Sequence, residues 1–171
     1  NNCGTMYGVA AAFRADWSLG TGGDFLARAG RFFGATRPHD EIGTISADYA
    51  FTKPASNGFS WVAIYGWTFS NLAEYYIVED WSVSRPGVTY QSRGTLMVDG
   101  RYYDIYYNRR VGAVSPAGTN TDFDQFWSVR RQARQCGHVS ISEHFKQWQS
   151  LGMNMTGLLR ESMIVVEAHR G

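Results

Sequence analysis

The chain has 171 residues, enough for one domain with a hydrophobic core and too few for two comfortable ones. Its 16 basic and 15 acidic residues leave a formal net charge of +1, which provides no general attraction for nucleic acid or anionic membranes. No apolar stretch is long enough to span a membrane, and two cysteines, Cys3 and Cys136, are too few for a zinc site of the usual spacing. The cysteines could pair if the protein is exported.

Short alternating segments separated by turn residues predict an all-β chain. The predicted strands are stretches of Met6–Trp17, then Phe25–Phe33, Ile42–Phe51, Phe59–Trp67, Ala73–Trp81, Arg93–Val98, Arg101–Arg109, Phe123–Arg131 and Glu161–Ala168. Asp99-Gly100 lies between two of these strands and can supply the positive φ that a type I′ hairpin turn needs. Turn signals at such short intervals favour a β-sandwich or jelly roll.

One segment, residues 142–151, has a different period. Phe145, Trp148 and Leu151 recur at helical spacing, which predicts one short α-helix packed on the outside of a sheet. His144 lies beside this apolar stripe, and we interpret it as a hydrogen-bonded structural histidine. The four histidines fall in unrelated contexts, and no nucleophile–His–Asp arrangement is visible.

Two glutamates interrupt strand-like runs. Glu74 shares one strand face with Tyr76, because residues two apart point the same way. Glu167 follows the apolar run Ile164–Val166, where desolvation and a neighbouring carboxylate would raise the pKa of an acid. Each glutamate could equally be an exposed surface residue. If the two meet in a cleft, they form the pair that general acid catalysis requires.

The surrounding motifs resemble those of glycoside hydrolase family 11, the endo-β-1,4-xylanases. The matching segments are Tyr65–Thr68, Glu74–Glu79, Tyr103–Tyr106 with Arg110, Phe123–Arg130, His144–Met153 and Val165–Glu167, in the family's order. Residues 131–137 and Glu167-Ala168 resemble xylanases of rumen microbes, bacterial or anaerobic fungal. The resemblance implies a β-jelly roll of two curved, packed antiparallel sheets with one short helix.

The same resemblance implies a reaction. Glu74 is expected to be the nucleophile and Glu167 the general acid/base of a retaining double displacement on xylan. Retention predicts that the two carboxyl groups lie about 5–5.5 Å apart, because no water needs to fit between them in the first step. No cofactor and no metal are implied.

The resemblance also assigns residues around the two acids. Those matched to substrate binding are Tyr65, Tyr76, Arg110, Gln125 and Trp127. Asp24 matches the residue that hydrogen-bonds the acid/base. Family members with Asp there favour acidic pH, and members with Asn favour neutral or alkaline pH. An acidic activity optimum is therefore expected.

Two departures from the family pattern are visible. The thumb loop, residues 111–120, has a different tip, in which Ser115 and Pro116 take the place of the usual Pro-Ser-Ile. Residues 1–171 are expected to form a single catalytic domain that lacks the family's first N-terminal and last C-terminal strands, with low stability as a result.

Alternative functions remain at this point. The chain could be a non-catalytic carbohydrate-binding jelly roll or lectin, a β-glucanase or xyloglucanase on the same fold, or an interaction domain. A secreted monomer acting on xylan or xylo-oligosaccharides, with no nucleic-acid or membrane partner, is the preferred interpretation.

Overall fold

The computed structural model describes residues 12–54 and 58–170, and this part of the chain is mostly β. The strands are β1 (Asp24–Phe32), β2 (Ala47–Ala50), β3 (Phe59–Phe69), β4 (Ala73–Ser82), β5 (Gln91–Val98), β6 (Arg101–Ser115), β7 (Gly118–Arg130), β8 (Cys136–Val139), β9 (Leu158–Leu159) and β10 (Glu161–His169). One α-helix, α1, runs from Ile141 to Ser150. The predicted all-β jelly roll with one short helix is confirmed.

The strands form a large and a small sheet. The large sheet has the order β1-β10-β3-β4-β7-β6-β5, with β9 added beside β3, and β2 pairs with β8 in the small sheet. One pair departs from the expected antiparallel arrangement, since β4 and β7 run parallel. Parallel pairing needs a long connection, and the β5–β6 hairpin supplies it.

The β5–β6 hairpin has the turn that its sequence predicts. Asp99 and Gly100 adopt φ angles of 52° and 68°, as a type I′ turn requires. Leu96 pairs with Tyr103, and Met97 with Tyr102, across the hairpin. Because paired residues share a face, Tyr103 turns into the core while Met97 and Tyr102 remain exposed.

A hydrophobic core lies between the large sheet, the small sheet and α1. Its members include Tyr49, Ile64, Tyr75, Ile77, Tyr103, Ile105, Phe126, Val139, Ile141, Phe145, Trp148 and Leu159. The predicted apolar stripe of α1 supplies two fully buried side chains, Phe145 and Trp148. No helix in the described ranges is long and apolar enough to cross a membrane.

His144 is structural, as its position beside that stripe predicts. Its imidazole is fully buried and its Nδ1 lies 2.9 Å from the hydroxyl of Ser128. Burial lowers the pKa of His144 to about 3, so the ring is neutral. Trp148 Nε1 donates to the same hydroxyl at 2.9 Å, which ties the helix to β7.

A second set of buried side chains covers the opposite face of the large sheet. It includes Trp61, Ala63, Tyr65, Trp67, Tyr76, Val78, Phe123, Trp127, Val129 and Val165, and we call it the aromatic face. Trp61 on β3 and Trp127 on β7 have ring centroids 6.0 Å apart although β4 lies between their strands. Neighbouring strands are about 4.8 Å apart, so the sheet curls toward the aromatic face.

Two predicted segments differ from the structure. Residues 12–17 form no strand, and the rest of Met6–Trp17 lies outside the described residues, as does Cys3. The predicted strand Ile42–Phe51 is reduced to β2, because Ile45 instead donates its backbone N–H to Ser142 Oγ at the start of α1. Cys136 is disulfide-bonded.

Candidate active site

Glu74 lies on the aromatic face, near the start of β4. The alternation predicted for this strand is observed: Tyr76 and Val78 share the face of Glu74, while Tyr75 and Ile77 belong to the core on the other side. Glu74 is only 7% exposed. The interpretation of Glu74 as an exposed surface residue is therefore wrong.

Three side chains hold the carboxylate of Glu74. Its Oε1 accepts hydrogen bonds from the hydroxyls of Tyr65 at 3.1 Å and Tyr76 at 3.2 Å. Its Oε2 accepts from Gln125 Nε2 at 2.5 Å. Burial raises the pKa of Glu74, while these hydrogen bonds and the charge of Arg110 act to lower it. The donors all favour the ionised form.

Two further residues orient those donors. Trp67 Nε1 donates to the Tyr65 hydroxyl at 2.6 Å, and Asn108 Nδ2 donates to Gln125 Oε1 at 2.7 Å. Neither Trp67 nor Asn108 was predicted to belong to the site. Tyr65 and Trp67 are two residues apart on one strand, so the sequence indicates that they share a face. No sequence pattern indicates the contact of Asn108 with Gln125, because that contact depends on the β6–β7 register.

Glu167 lies on β10 and reaches the same aromatic face. Its cross-strand partner on β3 is Trp61. It is 7% exposed, and its Oε2 has no hydrogen-bond partner. Burial, followed by the negative charges of Glu74 and Asp24, raises the pKa of Glu167 to about 8, against a smaller opposing effect of Tyr76.

The two carboxyl groups thus have opposite surroundings. Glu74 is surrounded by donors that stabilise a carboxylate, whereas Glu167 has no comparable set and holds its proton to high pH. Both act electrostatically on Tyr76. A carboxyl group held by three hydrogen-bond donors, beside a second one that keeps its proton, suits nucleophilic attack combined with general acid catalysis.

Asp24 lies at the edge of this pair. It starts β1 directly opposite His169 on β10, and its carboxylate lies within 4.8 Å of a Glu167 oxygen. Asp24 is exposed, with its Oδ1 3.7 Å from His169 Nδ1. The structure therefore places Asp24 beside Glu167, the neighbour predicted for it, and adds His169, which no sequence motif pointed to.

Trp127 belongs to the aromatic face, and other rings cover its own ring. Its ring stacks on Tyr76 with centroids 4.0 Å apart and an angle of 11° between the planes. Tyr90 and Trp61 pack at its other sides. Since Trp127 is only 3% exposed, it supports Tyr76 in this arrangement. The Nε1 atoms of Trp61 and Trp127 are buried without a hydrogen-bond partner.

The predicted thumb is a hairpin formed by the ends of β6 and β7. Ser115 ends β6, and its Oγ accepts hydrogen bonds from the Thr121 hydroxyl at 2.8 Å and from the backbone N–H of Ala117 at 3.0 Å. Pro116 is exposed in the turn. Arg110, at the hairpin base, is also exposed and lies close enough to influence the pKa of Glu74.

A family model described as glycosyl hydrolases family 11 matches residues 2–171. The chain belongs to glycosyl hydrolases family 11. The family predicted from the ordered motifs is therefore confirmed.

Named relatives of this family 11 chain are endo-1,4-beta-xylanases of several microbes. It is 43% identical to endo-1,4-beta-xylanase C of Fibrobacter succinogenes and 40% identical to endo-1,4-beta-xylanase C of Neocallimastix patriciarum, each match covering 100% of this chain. The chain spans only 28% and 39% of these two relatives. It is 44% identical to endo-1,4-beta-xylanase A of Bacillus pumilus, over 93% of this chain and 67% of that protein.

A solved structure shows the same fold. The crystal structure of wild-type ENZbleach xylanase superposes with a TM-score of 0.78 at 34% identity. The match covers 86% of this chain and 63% of the xylanase. The jelly roll and the family membership are thus supported by sequence and structure together.

Proposed function

We propose that this chain hydrolyses β-1,4-xylosidic bonds within xylan by a retaining double displacement, with Glu74 as nucleophile and Glu167 as general acid/base. The main support is a pair of buried carboxyl groups on the aromatic face, of which Glu74 accepts hydrogen bonds from three side chains and Glu167 has a raised pKa. The names of the family 11 relatives, endo-1,4-beta-xylanases, support the substrate class.

In the first step, a Glu74 carboxylate oxygen attacks the anomeric carbon and the bond to the leaving oxygen breaks. Glu167 donates its proton to that oxygen, so no alkoxide is released. The product is an ester between Glu74 and the sugar. The partnerless Oε2 of Glu167 and its raised pKa suit a group that arrives protonated.

In the second step, Glu167 is a carboxylate and removes a proton from water as the water attacks the anomeric carbon. The ester bond breaks and Glu74 recovers its charge, which the Tyr65, Tyr76 and Gln125 donors again stabilise. Two inversions give net retention. A separation of about 5–5.5 Å between the carboxyls remains a prediction of this mechanism.

The function is tested by following xylan digestion in real time by proton NMR. We expect the β-anomer of the new reducing end to form first and the α-anomer to follow by mutarotation. Reducing-sugar release should be far greater from xylan than from carboxymethyl cellulose, because a cleft shaped for xylose excludes a hydroxymethyl group. First appearance of the α-anomer would contradict retention. Equal cleavage of both polymers would favour the glucanase alternative, and binding without cleavage would favour a lectin.

Replacing Asp24 by Asn should move the alkaline limb of the activity–pH profile upward by about one pH unit or more. The negative charge of Asp24, which lies within 4.8 Å of a Glu167 oxygen, raises the pKa of Glu167. Family members with Asp at this position favour acidic pH and members with Asn favour neutral or alkaline pH, so we expect the wild type to peak at acidic pH. Burial raises the pKa of Glu167 in both proteins, so the variant keeps a protonated acid at neutral pH.

This profile should be measured as kcat/KM from pH 3 to 10 with EDTA present. Loss of the Asp24 charge by itself lowers the pKa of Glu167, so the charge effect alone would move the limb to lower pH. A limb that stays in place, or moves to lower pH, would contradict the role that the family resemblance gives Asp24.

The remaining parts of the proposal concern the thumb and the compartment. We place Arg110, Ser115 and Pro116 over the bound polymer, since their hairpin continues from strands β6 and β7, and β7 contributes Phe123 and Trp127 to the aromatic face. Extracellular action is supported by the disulfide-bonded Cys136, because such bonds persist in oxidising compartments. A monomer is expected and can be checked by light scattering.

A further inference from the structure

Within the described residues, one group of three metal-ligating side chains lies close together. Asp24, Glu167 and His169 each bring a ligand atom to within 4.8 Å of the others. The strand register explains the arrangement, because Asp24 pairs with His169 across β1 and β10 and Glu167 lies two residues before His169 on the same face.

We propose that Asp24, Glu167 and His169 bind a divalent transition-metal ion of the Zn²⁺ type, which inhibits the enzyme by occupying the carboxylate of its acid/base. Binding of the ion does not depend on the proposed function. Inhibition does rest on it, because it requires that Glu167 carry the catalytic proton.

The buried end of this group points to a missing ligand. Glu167 is 7% exposed, its Oε2 has no hydrogen-bond partner, and the negative charges of Glu74 and Asp24 lie nearby. Leaving such a group unpaired costs free energy. A cation at this place would satisfy the oxygen and offset the repulsion between the carboxylates of Asp24 and Glu167.

The donor set selects the kind of ion. One imidazole nitrogen and two carboxylate oxygens suit zinc and its neighbours, whereas Ca²⁺ and Mg²⁺ prefer all-oxygen sites. In a tetrahedral zinc site, bond lengths of about 2.0–2.2 Å place neighbouring ligand atoms about 3.3–3.6 Å apart. Asp24 and His169 are exposed, so small side-chain rotations bring the observed group into that range.

His169 is held in position to act as a ligand. Its ring lies edge-on to Trp61 with centroids 4.6 Å apart, and its Nδ1 is 3.7 Å from Asp24 Oδ1. An ion here would replace the proton of Glu167, so no proton could be given to the leaving oxygen. Glu74 takes no part in the metal site and keeps its three donors.

Calorimetric titration of EDTA-treated protein with ZnCl₂ tests the site directly. We expect wild-type protein to bind one ion and His169→Phe, which keeps an aromatic ring against Trp61, to bind it more than about tenfold more weakly. The matched control is His138→Ala. His138 is also an exposed histidine beside an aspartate, with its Nδ1 2.9 Å from Asp48 Oδ1, but it lies on the small sheet. This control should bind zinc as the wild type does.

Xylan hydrolysis in the same ZnCl₂ series supplies the second readout, each variant being compared with its own metal-free rate. Zinc should inhibit the wild type and His138→Ala, the inhibition should weaken more than about tenfold in His169→Phe, and MgCl₂ should have no effect.

Equal zinc affinity in His169→Phe and wild type overturns the site. Binding that depends on His169 without any metal-free hydrolysis would leave the site in place and overturn the proposed function. Binding that depends on His169 but leaves an active enzyme uninhibited overturns the inhibitory role.

Discussion

Glu74→Gln should abolish xylan hydrolysis, with a fall in kcat of about 10⁴-fold or more, because an amide cannot form the glycosyl ester. The fold should survive the change. Glutamine has nearly the same shape, and burial already disfavours the charge of Glu74. Reducing-sugar assays and thermal unfolding of the same preparation measure the two effects separately.

Glu79→Gln is the matched control for that variant. Glu79 is a second buried glutamate of β4, but it faces the opposite side and accepts hydrogen bonds from Tyr49 at 2.7 Å and Tyr103 at 2.6 Å. It also pairs with Arg134. We expect this variant to lower the melting temperature while the folded fraction keeps its kcat. A Glu74→Gln enzyme within tenfold of wild type would refute the role of Glu74.

Glu167→Gln should lower kcat on xylan by about 10²–10⁴-fold, because the leaving oxygen then departs without a proton. The loss should depend on the leaving group. An aryl xylobioside with a strongly acidic phenol needs little protonation, so its first step should proceed at close to the wild-type rate. The glycosyl-enzyme should then accumulate, since no base activates water, and a burst of phenol should be seen by stopped flow.

Azide separates the two glutamates further. It attacks the intermediate without a general base, so it should restore turnover of the aryl substrate by Glu167→Gln and give a β-glycosyl azide. Glu74→Gln should show neither the burst nor such a product. Failure of azide and of the better leaving group to restore Glu167→Gln would assign Glu167 a structural role.

The local features of the fold could be predicted because their causes are local. The turn at Asp99-Gly100 follows from the ease with which these two residues adopt positive φ. The two faces of β4 follow from the period of two, and α1 follows from the spacing of Phe145 and Trp148. The predicted helix, 142–151, differs from the observed Ile141–Ser150 by one residue at each end.

The lengths of several strands were not local properties. The thumb strands β6 and β7 continue through residues predicted as a loop, because each pairs with the other almost to the turn. Residues 42–46, just before β2, form no strand, since the backbone N–H of Ile45 bonds to Ser142 on the helix. Pairing partners that are distant in the chain decide where such strands end, so the local alternation of apolar and polar residues does not predict these boundaries.

By itself, the sequence determined the family, the all-β class and the face on which Glu74 lies, because ordered motifs and strand alternation are carried by neighbouring residues. Only the tertiary structure decided the surroundings of the acids. The β3–β4–β7 pairing brings Gln125 to Glu74. The β1–β10 register brings Asp24 and His169 to Glu167. Burial and charge at those contacts are set by strands distant in sequence, and these alone separate the two glutamates chemically.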